Sequence, residues 1–165
     1  MRRFEDKVAI VTGAATGIGR AVALRLGGEG ASVAVNYVAD GLLRANEVAA
    51  EIEARGGRAF AVAADVADPQ QLRAMFDAAV ERYGRIDIVV NNAAWAFTKS
   101  IVDVTEAEFD RIFAINVKGT FFGCQEAARR IATGGRIINL SSATTALMLP
   151  GYATSTRAIE READE

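Results

Sequence analysis

Three glycines, at 13, 17 and 19 in VTGAATGIGR, follow a short apolar run and open a stretch with helical pattern. A strand-to-helix turn of this kind leaves backbone N–H groups free and aims the positive end of a helix dipole at one point. Glycine lets the backbone come close to whatever sits there, and a pyrophosphate is the group that fits. A tight turn without a ligand explains three isolated glycines equally well. Their place, after a first strand and at the start of a helix, favours the dinucleotide reading. Composition excludes other chemistry. The 165 residues contain no histidine and a single cysteine, Cys124. Histidine-based nucleophilic triads, histidine-ligated metals, CxxC sites and internal disulfides are therefore ruled out, and no metal site is expected.

The elements that must position such a turn follow from two alternating patterns. Short β-branched runs at 7–13, 31–37, 58–64, 85–92 and 135–142 read as five strands, with four helical stretches between them. Ile18, Val22 and Leu26 share one face of the first helix, Val48 and Ile52 of the second, and Leu72, Met75, Phe76, Ala79 and Tyr83 of the third. Asp68 before Pro69 is an N-cap, and Thr105 with Glu108 is a capping box opening the fourth helical stretch. Glycine pairs at 27–28, 56–57 and 134–135 are expected to stop helices. Strands alternating with helices imply parallel β-α-β units in one doubly wound α/β sheet with helices on both faces. The whole of 1–165 is expected to form a single domain of this Rossmann-like kind.

Lys and Arg are scattered, and the formal net charge is −2. No broad electrostatic footprint for nucleic acid or an anionic membrane follows from that balance. The apolar run after MRRFEDK is too short for a secretory leader, and no run approaches a membrane span, so the cytoplasm is the expected location. Asn139-Leu140-Ser141 is expected inside a buried strand. Trp95, Phe97, Phe121 and Phe122 are expected as core or subunit-contact aromatics.

Further signals come in order: TGAATGIG, then ADV at 64–66, NNAA at 91–94, Asn116 in FAINVKGTFF, and NLSS at 139–142. With these motifs the chain resembles the short-chain dehydrogenase/reductase family, in particular its 3-oxoacyl-thioester reductase-like members, over Lys7 to Gly151. The resemblance implies the strand order 3-2-1-4-5. It also implies that Gly13, Thr16, Gly17, Ile18 and Gly19 hold a dinucleotide's pyrophosphate side, and that Asp65 and Val66 hold the adenine. Asn91, Asn92, Ala93 and Ala94 would hold the adenosine ribose and the floor beside the nicotinamide, with Ala94 replacing the family's usual glycine. Taken singly, Asp65 also fits a strand-end turn, and Asn91, Asn92 and Asn116 fit polar positions that satisfy local backbone groups.

At the end of the second strand, Asn36 and Tyr37 stand where a carboxylate would grip the 2′-hydroxyl of NAD. NADP is therefore expected over NAD, although Ala14, Ala15 and Thr16 lack the cation that often meets its 2′-phosphate. Arg20 and Arg44 remain as distant substitutes. The resemblance also implies a catalytic set of Asn, Ser, Tyr and Lys, matched here by Asn116, Ser142 and Tyr152. Thr156 stands at the lysine position, and the serine and tyrosine are about two or three residues closer than the family pattern. A tyrosine titrates near pKa ~10 and needs a neighbouring cation to act as a base at neutrality.

Two functions follow. One is an NAD(P)-dependent oxidoreductase acting on a small carbonyl or alcohol substrate, impaired by loss of the lysine and of the family's C-terminal elements. The other is a catalytically silent nucleotide-binding or assembly module. The resemblance further implies a homo-oligomer.

Overall fold

The apolar runs become strands because helices cover them. In the computed structural model, which describes residues 2–142, β1 (Val8–Val11), β2 (Ser32–Tyr37), β3 (Arg58–Ala63), β4 (Ile86–Asn91) and β5 (Ile131–Asn139) form one parallel sheet. Its order is β3-β2-β1-β4-β5, as expected. Side chains alternate across a strand, so each face has its own core. Ala9 and Val11 pack toward Ala23 and Leu26 of α1 (Gly17–Gly28) and Val48 and Ile52 of α2 (Leu42–Ala54). Ile10 points the other way, toward Leu72, Met75, Phe76 and Ala79 of α3 (Pro69–Tyr83). Burying one such side chain contributes about 1.5–3 kcal/mol. Gly27 lets α1 approach α2, since a Cβ there would stand 2.5 Å from Ile52 Cγ2.

The local signals are realised as expected where they depend on near neighbours. Asp68 Oδ1 accepts the N–H groups of Gln70 at 2.8 Å and Gln71 at 3.4 Å, with Pro69 opening α3. Thr105 and Glu108 form the capping box of α4 (Glu106–Phe113), and the helical run continues through a π-helical turn (Ala114–Gly119) into α5 (Thr120–Arg130).

The 27–28 pair forms the last two residues of α1, with Glu29 as C-cap and Gly30 at φ +104° beyond it. Three expectations fail. Ile18 does not face the core but is 65% exposed, because α1 turns Gly19, Ala23, Leu26 and Gly27 inward. The 134–135 pair does not stop a helix: α5 ends at Arg130 and β5 begins at once. Ile86 pairs with Ile131 but Ile88 with Arg136, so β5 carries a bulge, and Gly134 takes φ +81° within it. A Cβ on Gly135 would meet Asp87 O at 2.7 Å. Asn139 and Leu140 are exposed rather than buried, as β5 is the outermost strand of this sheet.

Asp87 ties the sheet's other end together. It is buried, accepts the Val8 N–H at 3.0 Å, and pairs with Arg85 at 2.6 Å and Lys7 at 3.6 Å. Burial pushes its carboxyl upward, but Arg85, the Val8 N–H and Lys7 outweigh that and leave it below the ordinary carboxylate value.

Candidate functional site

The carboxyl ends of β1 to β4 open into a cavity of about 640 Å³. Two side chains hold its floor rigid. Thr12 Oγ1 accepts the N–H groups of Asn92 and Ala93, each at 2.9 Å, and donates to Val90 O at 3.3 Å. Asn92 Nδ2 returns the contact, donating to Thr12 O at 2.8 Å and Gly13 O at 3.3 Å. From the other side, Asn36 Oδ1 accepts the Gly13 N–H at 3.0 Å while its Nδ2 donates to Ala64 O at 3.0 Å. The turn after β1 is thus fixed to both neighbouring strands.

The three glycines differ in what they do. Gly13 has φ +62°, and a Cβ there would lie 3.0 Å from Ala93 Cα. On Gly19 a Cβ would meet Gly13 O at 2.4 Å. Those two close the turn on itself. Gly17, at φ +55°, would project a Cβ that meets nothing within 4 Å, so it alone leaves open space beside the first turn of α1. Thr16 is the N-cap of α1, its side chain makes no capping hydrogen bond, and no acidic residue lies in the first turn. The orphan N–H groups and positive dipole end therefore face a cavity with room for an anion, which is the fit a pyrophosphate needs.

Most of the sequence candidates converge here: Gly13, Thr16, Gly17, Ile18, Asn36, Tyr37, Asp65, Val66, Ala93 and Ala94 all line the cavity. Asn36 does so with its amide already committed to backbone partners. Gly19 serves the turn from behind. Asn91 does not reach the cavity: it is buried, with Nδ2 donating to Asn139 Oδ1 at 2.8 Å and to Cys124 Sγ at 3.5 Å. Its carbonyl accepts the Leu140 N–H at 3.0 Å, which fixes the chain two residues before Ser142. Gly123 makes room for it, since a Cβ there would stand 2.4 Å from Asn91 Oδ1.

Asn116 sits in the π-helical turn and holds the loop after β4. Its Oδ1 accepts the Trp95 N–H at 2.9 Å and its Nδ2 donates to Trp95 O at 2.8 Å. Trp95 consequently lines the cavity, although the sequence suggested a core or contact aromatic. Its place directly after NNAA was the available signal. Arg111 was also missed: its guanidinium pairs with Asp65 at 2.9 Å across the cavity wall. Lys99 is held by Glu108 at 2.9 Å, and the Glu108 carboxyl falls to about 2 because the Thr105 N–H, Lys99 and the Thr105 hydroxyl all bind it. Tyr152 and Thr156 lie outside the described residues.

A family model described as short chain dehydrogenase matches residues 7–161. The chain belongs to the short-chain dehydrogenase family. Among curated members, an uncharacterized oxidoreductase of Methylorubrum extorquens is 44% identical over 153 residues, covering 93% of this chain and 61% of the relative. Versicolorin reductase 1 of Dothistroma septosporum is 46% identical over 145 residues, covering 88% of this chain and 55% of the relative. Of the solved short-chain dehydrogenases, one from Burkholderia cenocepacia in complex with NADP superposes with TM-score 0.88 at 39% identity, covering 95% of this chain and 65% of that one. An angucycline C-6 ketoreductase with bound NADP gives TM-score 0.86 at 43% identity, with 97% and 65% covered. This short-chain dehydrogenase chain thus spans between 53% and 61% of the length of the first curated relatives it matches. No helix among its described residues is long and apolar enough to cross a membrane.

Proposed function

We propose that the chain binds NADP along the carboxyl edge of its sheet, as part of an oxidoreductase that interconverts a small carbonyl compound and its alcohol. The observation that carries this reading is the uncapped N-terminus of α1 facing a 640 Å³ cavity beside Gly17. NADP-bound relatives of the same fold support the choice of cofactor. Gly17, Ile18 and the first N–H groups of α1 hold the pyrophosphate, Asp65 and Val66 the adenine, and Ala93 and Ala94 the floor below the nicotinamide. NADP, when bound, supplies or accepts the hydride. Ser142 polarises the substrate oxygen, and Tyr152 gives or takes the proton there. Asn116 keeps Trp95 and its loop in place at the reacting end.

Thr156 cannot lower the Tyr152 pKa as an ammonium would. A charge pair about 4 Å apart in a partly shielded site is worth roughly 4 kcal/mol, so its loss slows turnover on the order of a thousandfold. Binding is therefore retained while catalysis is slow. Phe109, Phe113, Val117 and Phe121, spaced at four residues along one helical run and all exposed, support a homo-oligomer built on that face. The cytoplasm is the proposed location, with no nucleic-acid or membrane partner.

The test is a titration of purified protein with NADPH, followed by NADPH oxidation with small ketones and a 3-oxoacyl thioester. Saturable binding with turnover below about 1 per second is expected. Absence of binding overturns the reading.

A further inference from the structure

The carboxylate after β3 is held on every side. Asp65 Oδ1 accepts the Ala67 N–H at 3.0 Å and Oδ2 pairs with Arg111 Nη1 at 2.9 Å, so each oxygen has a partner and the plane of the group is set. The backbone beneath it is fixed as well. The Asp65 N–H donates to Gln71 Oε1 at 3.0 Å, and Gln71 Nε2 donates to Asp68 Oδ2 at 3.0 Å, at the N-cap of α3. Ala67, Asp68 and Gln71 are near neighbours of Asp65 in the chain. Arg111 is the partner that comes from a distant element, α4.

A pair that only tied α4 to the end of β3 would need neither member at the cavity, yet both line it, with Val66 and Ile115 beside them. Both side chains also keep solvent access, 42% for Arg111 and 25% for Asp65, and ion pairs of that kind add little to stability. The chemistry of the pair is one-sided. An ionised carboxylate only accepts hydrogen bonds, so with one contact made at each oxygen it can still take an amino group, and it repels a carbonyl oxygen. Adenine carries an amino group at C6, where hypoxanthine has a carbonyl oxygen. Arg111 also cancels the charge of Asp65. The charged residues lining the cavity are Asp40, Asp65, Arg44 and Arg111, so without Arg111 the walls would oppose a polyanionic ligand. The guanidinium fork suits both tasks, since it fixes a carboxylate's orientation as a point charge does not.

We infer that Arg111 is a positioning residue for base recognition: acting through Asp65, it gives the cavity its preference for a purine with an amino group at C6 over one with a carbonyl oxygen there. The inference rests on the dinucleotide site proposed above, and the test separates the two. Dissociation constants for NADPH and for its deamino form, in which hypoxanthine replaces adenine, are measured by nicotinamide fluorescence. The proteins are the wild type, Arg111→Gln, Arg111→Lys and Asp65→Asn. The wild type is expected to bind NADPH about tenfold or more tighter than the deamino form. Loss of the Arg111 charge weakens both nucleotides, so the ratio is the diagnostic. Arg111→Gln is expected to shrink it below about threefold, and Arg111→Lys to keep part of it. Asp65→Asn, whose amide can turn a donor toward a carbonyl oxygen, is expected to bring the ratio to about one or below. If Arg111→Gln weakens both nucleotides by the same factor, or the wild type does not distinguish them, the role of Arg111 is overturned and the cofactor site stands. If the wild type binds neither nucleotide, both fall.

Discussion

Replacing Gly17 by valine separates the stability of the turn from its ligand. A β-branched residue held at φ +55° costs about 1–3 kcal/mol of strain, and no clash adds to it because a Cβ at Gly17 meets nothing within 4 Å. Each kcal/mol shifts Tm by about 2–4 °C in a domain of this size, so the free variant should melt no more than about 12 °C below the wild type. NADPH at a hundredfold excess over its Kd stabilises the wild type by about 2.7 kcal/mol, a rise of roughly 5–10 °C. The valine side chain fills the space beside the α1 N-terminus, so the variant should lose that rise. Gly19→Ala is the contrast. Its Cβ would lie 2.4 Å from Gly13 O and 2.5 Å from Asn92 Nδ2, so the turn itself must open. Stability and binding should then fall together. Thermal unfolding followed by circular dichroism, with and without NADPH, reads both quantities. A Gly17→Val protein that gains the same rise as the wild type refutes the placement of the pyrophosphate.

Asp87→Ala should cost about 1–3 kcal/mol in denaturant unfolding, because the buried Val8 N–H loses its acceptor; a loss under about 0.5 kcal/mol counts against that account. Because the folded carboxyl titrates below its unfolded value, Asp87 contributes stability above the unfolded pKa, and this is lost as pH falls through the folded one. The wild-type advantage over Asp87→Ala should shrink on acidification in the same unfolding experiment. Gly123→Ala should destabilise by about 1–3 kcal/mol, since its methyl must displace Asn91 from Asn139; an unchanged melting curve would show that α5 yields freely. Thr156→Lys alone should leave NADPH oxidation slow, because the shortened serine-to-tyrosine spacing remains and an error of about 1 Å already costs roughly a hundredfold. Recovery of ordinary turnover in that variant would show the spacing to be harmless.

Features governed by near neighbours were legible in the sequence. Asp68 caps residues two and three positions away, Thr105 and Glu108 form a box within four residues, and the strands declare themselves by continuous apolar runs. The glycine turn was legible as a site but not in its division of labour, because Gly13 and Gly19 are fixed by Ala93 and Asn92, some eighty residues distant. Asn36 and Asn91 illustrate the same limit: each looks like a ligand-binding polar residue at a strand end, and each spends its amide on groups brought together only by the sheet. The bulge in β5 sets Gly135 close against the Asp87 carbonyl, a contact that no local pattern encodes. Arg111 reaches the cavity through its pairing with Asp65, a residue remote in sequence that no local pattern joins to it.

The order β3-β2-β1-β4-β5 also has a consequence for how the chain is made. Of the five strands, β1 leaves the ribosome first, and it is the central one, paired with β2 on one side and with β4 on the other. At about 5–20 residues per second, the stretch from Val11 to Asn91 takes on the order of 4–16 s to synthesise. During that interval the β1–β2–β3 unit presents a bare edge of Val8 to Val11, and the face carrying Ile10 and Ala34 waits for α3 and α5. The nascent sheet is therefore sticky for seconds, and a chaperone that shields Ile10 until α3 arrives and the β1 edge until β4 does would act at the points of greatest exposure.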